Sequence, residues 1–183
     1  MSVIEIYKNP SDLYMKLIRE GKRTWQASNI NDIADHLFNF CVTSLSLRDW
    51  CIDKLELEKK AKNDFYEMHS NNKWLKYCGD IANSSKHFAL NEGRKSKVSD
   101  VLEKKETLVP LFMDGTYRNE LSYERPSLEI IDEQGQAENL MMLLFWTCTE
   151  WERVFKMHDL SLPKDAVIGS MFFSVYYPTR SGS

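Results

Sequence analysis

Polar residues recurring at helical spacing inside apolar segments are the first places to look for chemistry, because an unpartnered polar group in a core costs about 1 to 3 kcal/mol. Two stretches qualify. Asp80, Asn83, Ser84, His87 and Asn91 form one continuous stripe at helical spacing, beside the apolar seam of Ile81, Ser85 and Phe88. Asp32, His36, Asn39 and Thr43 occupy a similarly narrow arc, about 60° wide at 100° per residue. Should the two helices pack antiparallel, the stripes are expected to meet. His87 then acts as general acid/base or phosphate ligand, Lys86 or Arg94 holds phosphate charge, and Asp80 or Asp32 orients an imidazole. Asp32 and Asn39 are the expected local partners of His36, and Asn83 and Asn91 those of His87. The plainer reading is an interhelical hydrogen-bond network that fixes register.

Other candidates carry less. Arg153 and His158 bracket four residues, but they lie about 140° apart on an ideal helix and read more simply as a cationic pair favoured by a helix C-terminus. Arg94, Lys95 and Lys97, with Lys104 and Lys105, form the one dense basic run, expected to be a solvated loop or a phosphate contact. The five tryptophans are expected in the core rather than as stacking platforms for bases. His36, His87 and a carboxylate would make a two-His-one-carboxylate set, yet no Glu-x-x-His pair of the di-iron bundle type occurs, so no metal or other cofactor is expected. The four cysteines lack a C-x-x-C pair and sit in apolar patterns, as reduced core thiols do.

The segment Asp80-Ile-Ala-Asn-Ser-Ser-Lys-His-Phe88 resembles the motif helix of the HEPN superfamily, helical domains of prokaryotic defence, toxin and nucleotide-transferase-linked proteins. In that superfamily an Arg, usually followed by Asn, precedes a His by four to six residues, and the pair implies metal-independent RNA cleavage. Asn83 and His87 match the Asn and His, whereas Ala82 stands where the Arg belongs. Losing one preorganised donor to a pentacovalent phosphate typically costs about 100- to 1000-fold in rate. The resemblance therefore implies a degenerate, binding-only member. His36-Leu-Phe-Asn-Phe40 before Trp50, followed by Ile81-Ala-Asn83 and Lys86-His87, is similar to uncharacterised bacterial proteins with this helix pair, over Asn29 to Leu90.

The elements that must hold these residues follow from periodicity. Asn9, Pro10 and Ser11 open a short helix expected to run to Arg19, with Gly21 just beyond its end. A long apolar helix is predicted over Asn29 to Lys54, a charged continuation or exposed helix over Leu55 to His69, and a core helix from Trp74 to Asn91. Asp114-Gly115 between Thr107–Met113 and Thr116–Tyr123 predicts a hairpin, and Ser127 to Asp132 a third strand. Gln136 to His158 returns to helical spacing. Val167 to Tyr177 is β-branched and aromatic, a fourth strand expected either to be central or to serve a dimer. The fold class is α+β: a HEPN-like antiparallel bundle of four to five helices from 9–93 and 136–158, with a small antiparallel sheet from 107–132 and 167–177, in one domain of 183 residues.

Composition bounds the function. At 43% hydrophobic and 28% charged, the chain is neither disordered nor membrane-spanning in character. The net charge of −3 supplies no global field to recruit nucleic acid. No signal peptide or lipidation pattern occurs, so a cytoplasmic protein is expected. Two functional classes stay open: a toxin-like ribonuclease using His87, and an inert binding module of a bacterial defence or toxin system. A homodimer, RNA or a nucleotide, and a protein from a neighbouring gene are the partners these readings imply.

Overall fold

The computed structural model describes residues 4–84, 96–112 and 114–173. Helix α1 (Pro10–Gln26) starts where the Asp12 carboxylate accepts the backbone N–H of Asn9 at 3.0 Å, with Pro10 in the first turn. It does not stop at Arg19 as the sequence suggests. Gly21 lies inside the helix because α2 and the C-terminal segment approach it there. A Cβ at this position would stand 3.2 Å from Phe40 Cε2 and would overlap Met171 Sδ. The glycine marks close packing, not a terminus.

Helix α2 (Ile30–Lys54) begins at Asn29, whose side chain accepts the Asp32 N–H at 2.9 Å. Helix α3 (Lys59–Asn71) is mostly solvated and buries only Phe65 and His69. Helix α4 (Lys73–Ser84) is capped by Asn72, which accepts the N–H groups of Trp74 and Leu75 at 3.1 Å each. The expected extension of this helix to Asn91 lies outside the described residues.

The sheet departs from expectation. Strand β1 (Val98–Leu108) occupies much of the stretch read as a solvated loop and pairs antiparallel with β2 (Tyr123–Asp132), from Val98 opposite Asp132 to Leu108 opposite Tyr123. Its charges are matched across the strands: Lys104 Nζ donates to Glu129 at 2.9 Å, and Arg125 Nε lies 3.3 Å from Glu106. The expected Asp114-Gly115 hairpin shrinks to a turn at Gly115 (φ +80°) and a single bridge, Leu111 to Tyr117. A tight turn at Gly135 (φ +78°) leads instead to the short β3 (Ala137–Asn139), which completes the order β1-β2-β3. Helix α5 (Leu140–Met157) consequently begins later than Gln136, capped by Asn139, whose side chain accepts the Met142 N–H at 2.8 Å.

Helices α1, α2, α4 and α5 enclose the core. Trp151 is fully buried and donates to Ser44 Oγ at 2.9 Å, Tyr14 packs on Phe155, and all four cysteines are buried and free. The sheet is tied on by Tyr77, which donates to Asp132 at 3.3 Å, and by Arg125, which stacks over Trp25 and donates to its carbonyl. The C-terminal strand expected over 167–177 is replaced over Ile168–Met171 by a 3-10 turn that lies against α1, with Met171 buried and Phe172 edge-on to Trp25 at 5.2 Å. Residues 174–177 lie outside the described residues. The architecture is mixed α+β, with five helices and a three-stranded antiparallel sheet among the described residues. No helix among them is long and apolar enough to cross a membrane.

Candidate functional site

Asp80 is the hinge of the site. The side chains before it on α4, Leu75, Tyr77 and Cys78, are buried, and the period of the helix carries Asp80 to the end nearest the sheet, where it is 5% exposed. One carboxylate oxygen pairs with Lys76 one turn earlier; the other accepts the backbone N–H of Lys97 at 2.7 Å. Asp80 thus anchors the entry into β1. Buried charge is tolerated here because both oxygens are satisfied.

Asp80 also separates two clefts. The larger, about 280 Å³, opens between the end of α4 and the start of β1 and carries Ser84, Ser96, Ser99 and Asp100. Hydroxyls and carboxylates without a cation among the described residues suit a hydrogen-bonding neutral group better than an anion. The smaller, about 110 Å³, lies among α2, α3 and α4 and is lined by Arg48, His69, Ser70, Lys76, Asp80 and Asn83, with Leu45 and Gly79 as its apolar part. Its two cations, Arg48 and Lys76, are each paired with a carboxylate, Asp49 and Asp80.

His69 is the residue that sequence reasoning missed. It is 2% exposed, with its ring 6.0 Å from that of Trp151, and its Nε2 has no hydrogen-bond partner. Burial, reinforced by the charges of Arg48 and Lys76, pulls its pKa down to about 3, so the imidazole is neutral. The available signal was the i, i+4 pair Phe65 and His69, the buried edge of a helix read as exposed. Arg48 is held in place by Asp49, at 2.9 Å, and by the Tyr66 ring, 4.7 Å from the guanidinium.

The other predicted residues are placed as follows. Asn83 donates to the Gly79 carbonyl at 2.5 Å and lines the smaller cleft. Asp32 bonds locally to Asn29 at the start of α2. His36 Nδ1 faces Glu20 of α1 at 3.9 Å, and Thr43 accepts from Lys16 at 2.6 Å while donating to the Asn39 carbonyl. The α2 stripe therefore meets α1. The side of α2 that meets α4 carries Cys41, Ser44, Leu45 and Arg48, and Leu45 lies about 180° around the helix from His36. The two polar stripes do not form one face-to-face set over the described residues. Arg153 is exposed and bonded to Glu150 at 2.8 Å, while His158 caps α5 with its ring 5.3 Å from Phe65, so these two do not converge. Lys86, His87 and Arg94 lie outside the described residues. Among those described, no group of three or more His, Cys, Asp or Glu is arranged to hold a metal ion.

No family model, curated protein or solved structure matches the chain.

Proposed function

We propose that this protein is a non-catalytic, HEPN-like binding module of a bacterial defence or toxin system. The observation that carries the reading is the burial of Ala82, at 0% exposure. That is the position at which the resemblance asks for the catalytic Arg, and a side chain there would enter the core. Asp80, the residue expected to orient an imidazole, has both oxygens engaged by Lys76 and the Lys97 N–H, which also favours binding over proton transfer. The module acts in the cytoplasm as a homodimer, its ligand is RNA or a nucleotide, and a protein from a neighbouring gene is its physiological partner. The dimer reading rests on the apolar run Met171-Phe-Phe-Ser-Val-Tyr176 of the sequence, of which Phe173 is 71% exposed while Met171 is buried and Phe172 packs on Trp25.

Purified protein incubated with total RNA in EDTA tests this. The expected result is RNA retained intact at micromolar protein, with a binding isotherm by filter retention. EDTA-resistant cleavage that disappears in His87→Ala would replace the module with a metal-independent ribonuclease in which His87 works with a nearby cation. The same variant reports on the plainer reading: a fall in stability of about 1 to 3 kcal/mol with binding retained makes His87 part of a structural network only.

A further inference from the structure

The cleft among α2, α3 and α4 combines features that the proposed module does not need. Arg48 comes from α2, His69 from α3 and Lys76 from α4, and none of them belongs to the segment that resembles the HEPN motif helix. At about 110 Å³ the space is several times the roughly 15 Å³ that one water requires. We propose that it is an oxyanion site that takes one phosphoryl group, either free phosphate or the phosphate of a nucleotide, through Arg48, Lys76 and His69.

Charge selects the ligand class. Two cations and a single carboxylate line the cleft, and that carboxylate, Asp80, is already bonded to Lys76 and to the Lys97 backbone. A metal cation would meet the positive charges of Arg48 and Lys76, whereas an oxyanion is attracted by both. Arg48 has the geometry for an oxyanion. It is 19% exposed; its Nε and Nη2 engage Asp49, the Tyr66 ring braces it, and the remaining N–H groups of the planar guanidinium are the donors left for a ligand. His69 supplies the second, independent observation. The imidazole is 2% exposed with a partnerless Nε2; in the tautomer that carries its single proton on Nε2 it is a donor without an acceptor, and a phosphate oxygen is the acceptor that two flanking cations would bring there. Donors from three different helices then converge on one tetrahedral group, which also explains why a buried polar ring is kept where a leucine would pack.

The test uses the full chain near pH 7. Inorganic phosphate is titrated to about 50 mM at constant ionic strength set with chloride, following the imidazole nitrogens of His69 by ¹⁵N NMR, with His69→Gln for assignment. A saturable shift of the Nε2 resonance is expected, with affinity about tenfold weaker in Arg48→Gln. A second arm uses uridine 5′-monophosphate. Saturation at lower concentration than phosphate identifies a nucleotide-borne group, and saturation with inorganic phosphate alone identifies the free ion. No saturable shift with either ligand, the same shift with chloride alone, or an Arg48→Gln titration identical to wild type would overturn the proposal. Should Arg48→Gln not fold, Arg48→Lys, which keeps the charge and removes the fork, gives the same comparison. RNA cleavage does not enter this readout, so the module and the oxyanion site can fail separately.

Discussion

Glu20 on α1, which faces the α2 stripe at His36, and Asp80 on α4, which belongs to the other stripe, are each 5% exposed, yet the structure uses them differently. Glu20 is surrounded by side chains: Arg23 at 2.7 Å, Lys16 at 3.7 Å and His36 at 3.9 Å. Arg23 is half exposed and Lys16 partly so, and the cluster closes the α1–α2 seam. Asp80 instead joins a side chain to a backbone, Lys76 to the N–H of Lys97, and has a cleft on either side. A carboxylate ringed by flexible cations makes a tolerant seam, whereas one that anchors the chain between helix and sheet sets the geometry of its surroundings. Functional potential follows the second arrangement, because fixed donors beside open space can receive a ligand without reorganising.

The largest effect is expected from Asp80→Ala. It removes the carboxylate that pairs with a Lys76 ammonium only 17% exposed, and with it the acceptor for the Lys97 N–H, so chemical denaturation should report a loss of about 3 kcal/mol. Asp80→Asn keeps an acceptor for the Lys97 N–H and should recover a measurable part; equal losses in both variants would mean that the anchor contributes nothing.

His69 gives the next effect, through pH. Its folded pKa of about 3 lies below the ordinary value of 6.5, so the unfolded chain binds a proton that the folded chain refuses between those values. The stability associated with the neutral ring is complete above pH 6.5 and falls as pH drops toward 3. At pH 5 the wild type should have lost about 2 kcal/mol relative to its own value near pH 7 from this group alone. His69→Gln should flatten that part of the curve, and parallel curves for the two proteins would remove His69 as the source.

Glu20→Gln is expected to cost about 1 kcal/mol, since Arg23 and Lys16 can turn toward solvent once the charge is gone. A loss as large as that of Asp80→Ala would erase the contrast drawn between the two carboxylates. The smallest effect belongs to His36→Asn. At 3.9 Å from Glu20 the imidazole is beyond hydrogen-bond distance and its side chain is one-third exposed, so the unfolding free energy from denaturant titration should change by less than about 0.5 kcal/mol.

Much of the helical framework was legible because its signals are local. Asn29 and Asn72 cap by bonds to N–H groups two or three residues ahead, and the apolar period of α2 runs unbroken across its length. The errors fall where a distant partner overrides a local sign. Gly21 reads as a helix stop and is a contact point for Phe40 and Met171. The charged run through Lys104 and Lys105 reads as a loop, because a register shift between Val98 and Asp100 breaks the two-residue alternation and because β2 supplies its counter-charges. Val167 to Phe173 has the composition of a strand, yet Met171 finds its burial against α1. In the candidate site, Asp80 and Asn83 were legible from their spacing on one helix, while Arg48 and His69 were not, since each belongs to a different helix and only their packing makes them neighbours.

The sequence by itself determined the class of the fold, the starts of α1, α2 and α4 and the apolar faces that drive the helices together, since each depends on residues within one or two turns of one another. Only the tertiary structure decided which polar stripe would be closed by α1, which would border a cleft, and which histidine would lose its charge. Those outcomes depend on desolvation and on charges brought from other elements, and both are properties of the packed chain that no local spacing encodes.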